Sequence, residues 1–235
     1  MVQTRPCIAH AGLVPHSINR AFMIPWQLIT FFGDSVITMP AAAAIAIWLV
    51  TAGAWRMALT WSLLFGVALT LVTATKVAFI GWGIGIPGLD FTGISGHAMR
   101  ACAVLPVVVY LLLQPAGRKL RLVGTLLGAG AGVMIALSRI VLNYHSASEV
   151  VIGIGLGTLV AIAFIRRSED QSGFRLQRWI VGLTLLGLVP TTYAQPAPTH
   201  QWVTTVALYL SGSDRPYIRD SRGELARGPA ITRQH

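Results

Sequence analysis

The feature that most constrains this chain is a series of uncharged apolar runs, at about 36–55, 57–75, 98–115, 122–138, 150–165 and 179–194. Roughly 17 to 20 apolar residues cross a ~30 Å hydrocarbon layer as a helix, because every backbone polar group is then satisfied internally. Only 11% of the 235 residues are charged and 54% are hydrophobic, against about a quarter charged in soluble domains. The pattern excludes a soluble globular enzyme and predicts an all-α, polytopic membrane bundle of five to six transmembrane helices.

Residues 17–33 are apolar but interrupted by Arg20 and Pro25, which predicts an interfacial or half-inserted N-terminal helix. Asp34 and Ser35 then read as caps for the first crossing. The chain divides into an interfacial segment over 1–35, a transmembrane domain over 36–196 and a C-terminal part over 197–235. In that last part a turn begins at 195, residues 202–210 make an apolar helix too short to cross, and 211–235 read as a polar, arginine-rich, mobile tail. The N-terminal stretch lacks an apolar core followed by a small-residue cleavage site, so a removable signal peptide is not expected. Cys7 and Cys102 support neither a disulfide framework nor a cysteine metal site.

The net charge of +10 raises the question of nucleic acid. Membrane topology explains the loop charges better, so no nucleic-acid partner is expected. In alternate linkers one side holds Arg56, then Arg118, Lys119 and Arg121, then Arg166, Arg167, Arg175 and Arg178. The other side holds Lys76, Arg100 and Arg139. The richer side should be cytoplasmic, which turns the linkers at 76–97 and 139–149 outward, toward the periplasm if the membrane is a bacterial inner membrane.

Ionisable side chains at membrane depth cost several kcal/mol unless paired or hydrated, which makes each a candidate for function. Lys76 ends the second run, His97 and Arg100 begin the third, Arg139 ends the fourth, and His145 and Glu149 begin the fifth. An even number of crossings separates the two linkers, so all six share one face. Three cations, two histidines and one carboxylate make an anion site, and arginine grips phosphate oxygens through two parallel bonds. Ser95 and Gly96 precede His97 at an expected helix start, where free backbone N–H groups and the helix dipole favour phosphate. His145 and Glu149, four residues apart, can share one helix face, the carboxylate holding one ring nitrogen and leaving the other as nucleophile.

At these positions the sequence resembles the type 2 phosphatidic acid phosphatase family. Ile94-Ser95-Gly96-His97 is similar to the family's P-S-G-H motif. Ser138-Arg139, followed by five residues, His145, three residues and Glu149, is similar to S-R-x5-H-x3-D, and Lys76 looks like the opening lysine of K-x6-R-P. The resemblance covers about 34–165. It implies that His145 attacks phosphorus with Glu149 orienting its ring, that His97 protonates the leaving oxygen and then activates water, and that Lys76, Ser95, Gly96 and Arg139 hold the phosphate oxygens. It implies no metal and no cofactor. The implied partners are a phosphorylated lipid substrate, with undecaprenyl diphosphate, phosphatidylglycerol phosphate, phosphatidate and lipid A phosphates as candidates, and the surrounding membrane lipids.

Three positions depart from the pattern. Gly83 and Ile84 stand where the first motif carries Arg-Pro, Ile94 replaces a proline, and Glu149 replaces an aspartate. Arg100, one turn beyond His97, is the candidate to replace the missing arginine. The departures also keep open a weakened lipid-binding member, and a lipid-to-lipid phosphotransferase is a third reading. Asp34 reads only as a cap, and the small residues Gly153, Gly155 and Gly157 read as a surface for close helix packing rather than a phosphate loop.

Overall fold

The computed structural model describes residues 18–169, 176–188, 190, 199–219 and 225–229, without the side chains of 18–22 and 188. Cys7, Arg175, the Arg20 side chain, the end of the sixth apolar run and the start of the turn at 195 lie outside the described residues. Eight helices are described: α1 (Ile18–Phe31), α2 (Ser35–Thr51), α3 (Trp55–Trp82), α4 (Gly96–Leu112), α5 (Arg118–Val141), α6 (Ala147–Glu169), α7 (Arg178–Leu188) and α8 (Thr199–Ser211). By length and composition four stretches can cross a membrane: Met23–Thr51, Trp55–Trp82, Arg118–Val141 and Ala147–Glu169. The apolar helices Gly96–Leu112 and Arg178–Gly187 are shorter. The first stretch runs through the α1–α2 junction, where the sequence suggests a boundary between interfacial and crossing segments. Asp34 makes that junction a break in the helix: its carboxylate accepts the Val36 amide at 3.0 Å.

α4 is the axis of the bundle. Ala98, Met99, Ala101, Ala103, Val107 and Leu111 have no exposed surface, so this helix meets protein on nearly all sides and needs no long lipid-facing span. Two glycine rows permit this. Cβ atoms placed at Gly132 and Gly128 of α5 would lie 3.0 and 3.1 Å from the carbonyl oxygens of Ala101 and Leu105, and one at Gly124 would meet Val109 and Leu113. As the α5 number falls the α4 number rises, so the two helices run antiparallel. On α6, Gly153 presses on Ser95 and Ala98, and Gly157 on Met99 and Cys102. These numbers rise together, so α6 runs parallel to α4. Backbones brought this close gain van der Waals contact that larger residues forbid, the usual source of helix association in lipid. Gly155, on the other side of α6, has open space.

At the end away from the histidines, aromatic packing closes the bundle. Trp61 donates its indole N–H to the Ala42 carbonyl at 2.9 Å, stacks on Phe65 at 5.2 Å and meets Phe164 edge-on at 5.4 Å. Trp48 ties α2 to α7 through the Thr184 hydroxyl at 2.6 Å. Facing outward are apolar rows such as Leu59, Leu63 and Val67 on α3 and Leu122, Leu126 and Leu127 on α5. Such surface is stable against hydrocarbon and not against water.

Two expectations need correction. The second run does not stop at Lys76: α3 continues to Trp82 and ends at Gly83, which takes the left-handed conformation at φ 73°. Lys76 is therefore inside the helix, more than a turn before its end. The tail is not uniformly mobile either. Tyr217–Arg219 and Leu225–Arg227 form an antiparallel pair whose Tyr217 and Leu225 cover Gly83. Arg219 pairs with Asp90 and donates to its carbonyl at 2.9 Å. Apolar Tyr217 and Leu225 within a polar segment supply the packing that composition alone conceals.

Candidate active site

The site residues proposed from the sequence come from four helices, α3 to α6, and the turns beside them, and the fold gathers them at one end of the bundle. The linker after α3 meets the first turn of α6 directly, since the Ser95 amide donates to the Glu149 carbonyl at 3.2 Å. Gly93, at φ 152°, brings the backbone onto Lys76, where a Cβ would stand 2.9 Å from Cγ. Lys76 lies within electrostatic range of Arg100, Arg139 and Glu149, and His145 within range of Lys76 and Arg139.

His145 sits two residues before α6 and not on it, in the turn that follows α5. The four-residue spacing still works, because Glu149 occupies the first turn of α6. The ring Nδ1 of His145 is 2.6 Å from Glu149 Oε2, which leaves Nε2 outside that contact. The other carboxylate oxygen is fixed by Thr92, whose amide donates to Oε1 at 2.7 Å and whose hydroxyl also donates to it. Glu149 is buried, 3% exposed. The longer side chain that stands in place of an aspartate is thus anchored on both oxygens. Thr92 escapes sequence reading, since nothing in its position three residues before Ser95 announces a contact 57 residues away.

Burial is the largest influence on the His145 imidazole and draws its pKa below the ordinary 6.5. The bond to Glu149 works the other way, while Lys76 and Arg139 add to the lowering. The ring is accordingly neutral at neutral pH, the state in which a ring nitrogen has a lone pair to offer.

Ser95 is the N-cap of α4 by position, yet its hydroxyl makes no capping bond. Its Oγ is buried without a hydrogen-bond partner, and so is Nε of Arg139. A buried polar atom left unpaired costs about 1–3 kcal/mol, so Ser95 Oγ at the start of α4 and Arg139 Nε in the last turn of α5 are each candidates to meet an anion's oxygen. Gly96 opens the helix beside them, and a Cβ there would lie 2.9 Å from Nη1 of Arg100. Arg100 is held from behind: Nε donates to the Thr38 hydroxyl at 3.0 Å and Nη2 to the Gly33 carbonyl at 3.4 Å. Arg139 donates from Nη1 to the Thr30 hydroxyl at 3.0 Å and lies over the Tyr144 ring at 4.3 Å. The cap residue Asp34 reaches the site as well, with Oδ2 3.6 Å from Nε2 of His97.

The structure therefore brings together Lys76, Ser95, Gly96, His97, Arg100, Arg139, His145 and Glu149. It adds Asp34, Thr30, Thr38, Thr92 and Tyr144, which the motifs do not reveal. Gly83, where the family pattern carries arginine, ends α3 under the C-terminal strands and has no part in the cluster. Among the described residues no group of three His, Cys, Asp or Glu side chains is placed to hold a metal ion.

Comparison with known proteins supplies the family. A curated protein from Klebsiella pneumoniae, described as an uncharacterized 22.5 kDa protein in cps region, is 36% identical over 200 residues, covering 83% of this chain and 95% of its own length. No solved structure matches. The model of the PAP2 superfamily matches residues 16–172, a range that takes in all four helices bearing the cluster and the α1–α2 junction behind it. On that match the chain, a helical membrane protein, belongs to the PAP2 superfamily of phosphatase-type enzymes acting on phosphorylated substrates.

Proposed function

We propose that the protein is a lipid phosphate phosphatase that works through a phosphohistidine. The observation that carries this reading is the His145–Glu149 pair, with one ring nitrogen engaged at 2.6 Å and the other outside that contact, within electrostatic range of Lys76 and Arg139. Nε2 of His145 attacks phosphorus; an N–P bond forms, the P–O ester bond breaks, and the leaving oxygen keeps the electron pair and takes a proton from His97. Water then attacks phosphorus, His97 takes a proton from it, and the N–P electrons return to His145. Lys76, Ser95, the Gly96 amide, Arg100 and Arg139 hold the non-bridging oxygens and balance the charge that grows on them.

Three observations favour a lipid substrate. The site residues, Lys76 inside α3 apart, sit at or near the ends of apolar helices. The linker beside them exposes Ile84, Ile86 and Leu89, a poor surface for water and a good one for an acyl or prenyl chain. The charge distribution turns this end away from the arginine-rich side, toward the periplasm if the membrane is a bacterial inner membrane. The candidate substrates are undecaprenyl diphosphate, phosphatidylglycerol phosphate, phosphatidate and lipid A phosphates. Phosphate release by the purified full chain in detergent, from this panel and with EDTA present, tests the reading. Turnover of at least one lipid that survives EDTA supports it; lipid binding without release from any of them overturns it in favour of a binding protein, and transfer of the phosphate to a second lipid identifies a phosphotransferase.

The lowered pKa of His145 gives a pH signature. A neutral nucleophile is available above its folded-state pKa and lost as pH falls through it, so the acid limb of kcat/KM should lie below pH 6.5. In Glu149→Gln the carboxylate that favours the protonated ring is gone while burial, Lys76 and Arg139 remain. The acid limb of the residual activity should move to still lower pH as the maximum falls. A limb that stays in place or rises would remove Glu149 from direct contact with the nucleophile.

A further inference from the structure

Asp34 has a complete bland explanation: it caps α2. Its side chain accepts the Val36 amide at 3.0 Å and the Ser35 hydroxyl at 3.3 Å. A cap at a membrane surface would ordinarily face solvent. Asp34 instead is buried, 8% exposed, and its second oxygen stands 3.6 Å from Nε2 of His97. The ring is wedged in that position, with the Cβ of any residue at Gly33 falling 3.4 Å from its Cδ2. Arg100 and Arg139 share the surroundings of both groups.

We propose that Asp34 is the positioning carboxylate of His97, so that the site holds two histidine–carboxylate pairs, one for the nucleophile and one for the acid and base. The proposal rests on the phosphatase reading above. In the first half of the reaction His97 must carry a proton to the leaving oxygen while two guanidinium groups stand near. Two like charges work against a protonated ring, and a carboxylate at ion-pair distance from Nε2 offsets them. With Nε2 turned to Asp34, Nδ1 is the nitrogen that gives its proton to the oxygen of the breaking P–O bond, and in the second half takes a proton from the attacking water. Glu149 plays the corresponding part for His145 with the nitrogens exchanged, holding Nδ1 and freeing Nε2.

The cap and the positioning role separate cleanly, because Asn and Ser cap helices about as well as Asp. The experiment uses the full chain in detergent and compares Asp34→Asn and Asp34→Ser with wild type on two substrates. One is a short-chain phosphatidate, whose alkoxide leaving group needs a proton; the other is p-nitrophenyl phosphate, whose leaving group departs without one. Loss of an aligned acid should slow the first step on phosphatidate by on the order of 100-fold, the lower end of the 10²–10⁴ that general acid–base catalysis contributes. With p-nitrophenyl phosphate the first step should keep its rate, giving a burst of about one nitrophenolate per protein, and the following turnover should slow because water is no longer activated. Equal losses of the first step on both substrates, no loss on either, or unfolding of both variants would reduce Asp34 to a cap and overturn the proposal. Failure of the wild type to release phosphate from these two compounds and from every lipid of the panel above would instead overturn the phosphatase reading, and this role with it.

Discussion

Replacing His145 with alanine should abolish turnover, lowering phosphate release by about 10⁴-fold or more, the scale on which removing a nucleophile acts in other covalent hydrolases. The size follows from the chemistry proposed for the site. Nε2 of His145 forms the N–P bond, and no other described side chain combines an unclaimed ring nitrogen with a carboxylate at 2.6 Å on the opposite nitrogen. The complementary variant is His97→Ala, in which the nucleophile remains but the base that activates water is missing. With a substrate that needs no acid, this protein should accumulate a label from radioactive phosphate that is stable to alkali and labile to acid, as expected of a phosphoramidate. His145→Ala should accumulate none. If the label survives in His145→Ala, another side chain is the nucleophile and the Glu149 contact is structural.

Much of this arrangement is legible in the sequence because membrane insertion leaves few polar residues to choose among. Lys76, His97, Arg100, Arg139, His145 and Glu149 stand out against apolar runs, and counting crossings places them on one face. The hydrogen bond from the Ser95 amide to the Glu149 carbonyl shows the linker after α3 in contact with the start of α6. Helix ends are less legible. Lys76 looks terminal because it is charged, yet an aliphatic stem allows α3 to carry it inward and continue to Trp82. Least legible are the neutral partners. Thr92, Thr38 and Thr30 engage Glu149, Arg100 and Arg139 respectively, across long sequence separations that no local period encodes. Threonines are common in apolar helices, where most bond to a carbonyl in their own preceding turn, as Thr70 and Thr73 do here. Asp34 shows a different difficulty: a local role that accounts fully for the residue hides a distant one.

Arg100 carries the second large effect expected. The family pattern places an arginine seven residues after the opening lysine, but Gly83 occupies that position and lies under Tyr217 and Leu225. Arg100 arrives at the proposed phosphate site from another helix. Thr38 and the Gly33 carbonyl take Nε and Nη2, so Nη1, which lies against Gly96, is the part directed at the α4 N-terminus. Removing one preorganised donor from a developing oxyanion costs about 10²–10³ in kcat. Arg100→Lys should show a loss of that size, because an ammonium offers a point charge where the fork is needed. It should also weaken inhibition by inorganic phosphate. A competing reading makes Arg100 a tether between α4 and the α1–α2 junction. Thr38→Val separates the two, since it cuts the bond to Nε and leaves the guanidinium charge in place. A small loss in Thr38→Val beside a large one in Arg100→Lys, with added guanidinium restoring part of the activity of Arg100→Ala, establishes the contact with phosphate; equal losses in Thr38→Val and Arg100→Lys with no restoration would establish the tether, and the missing arginine of the first motif would then have no replacement in this protein.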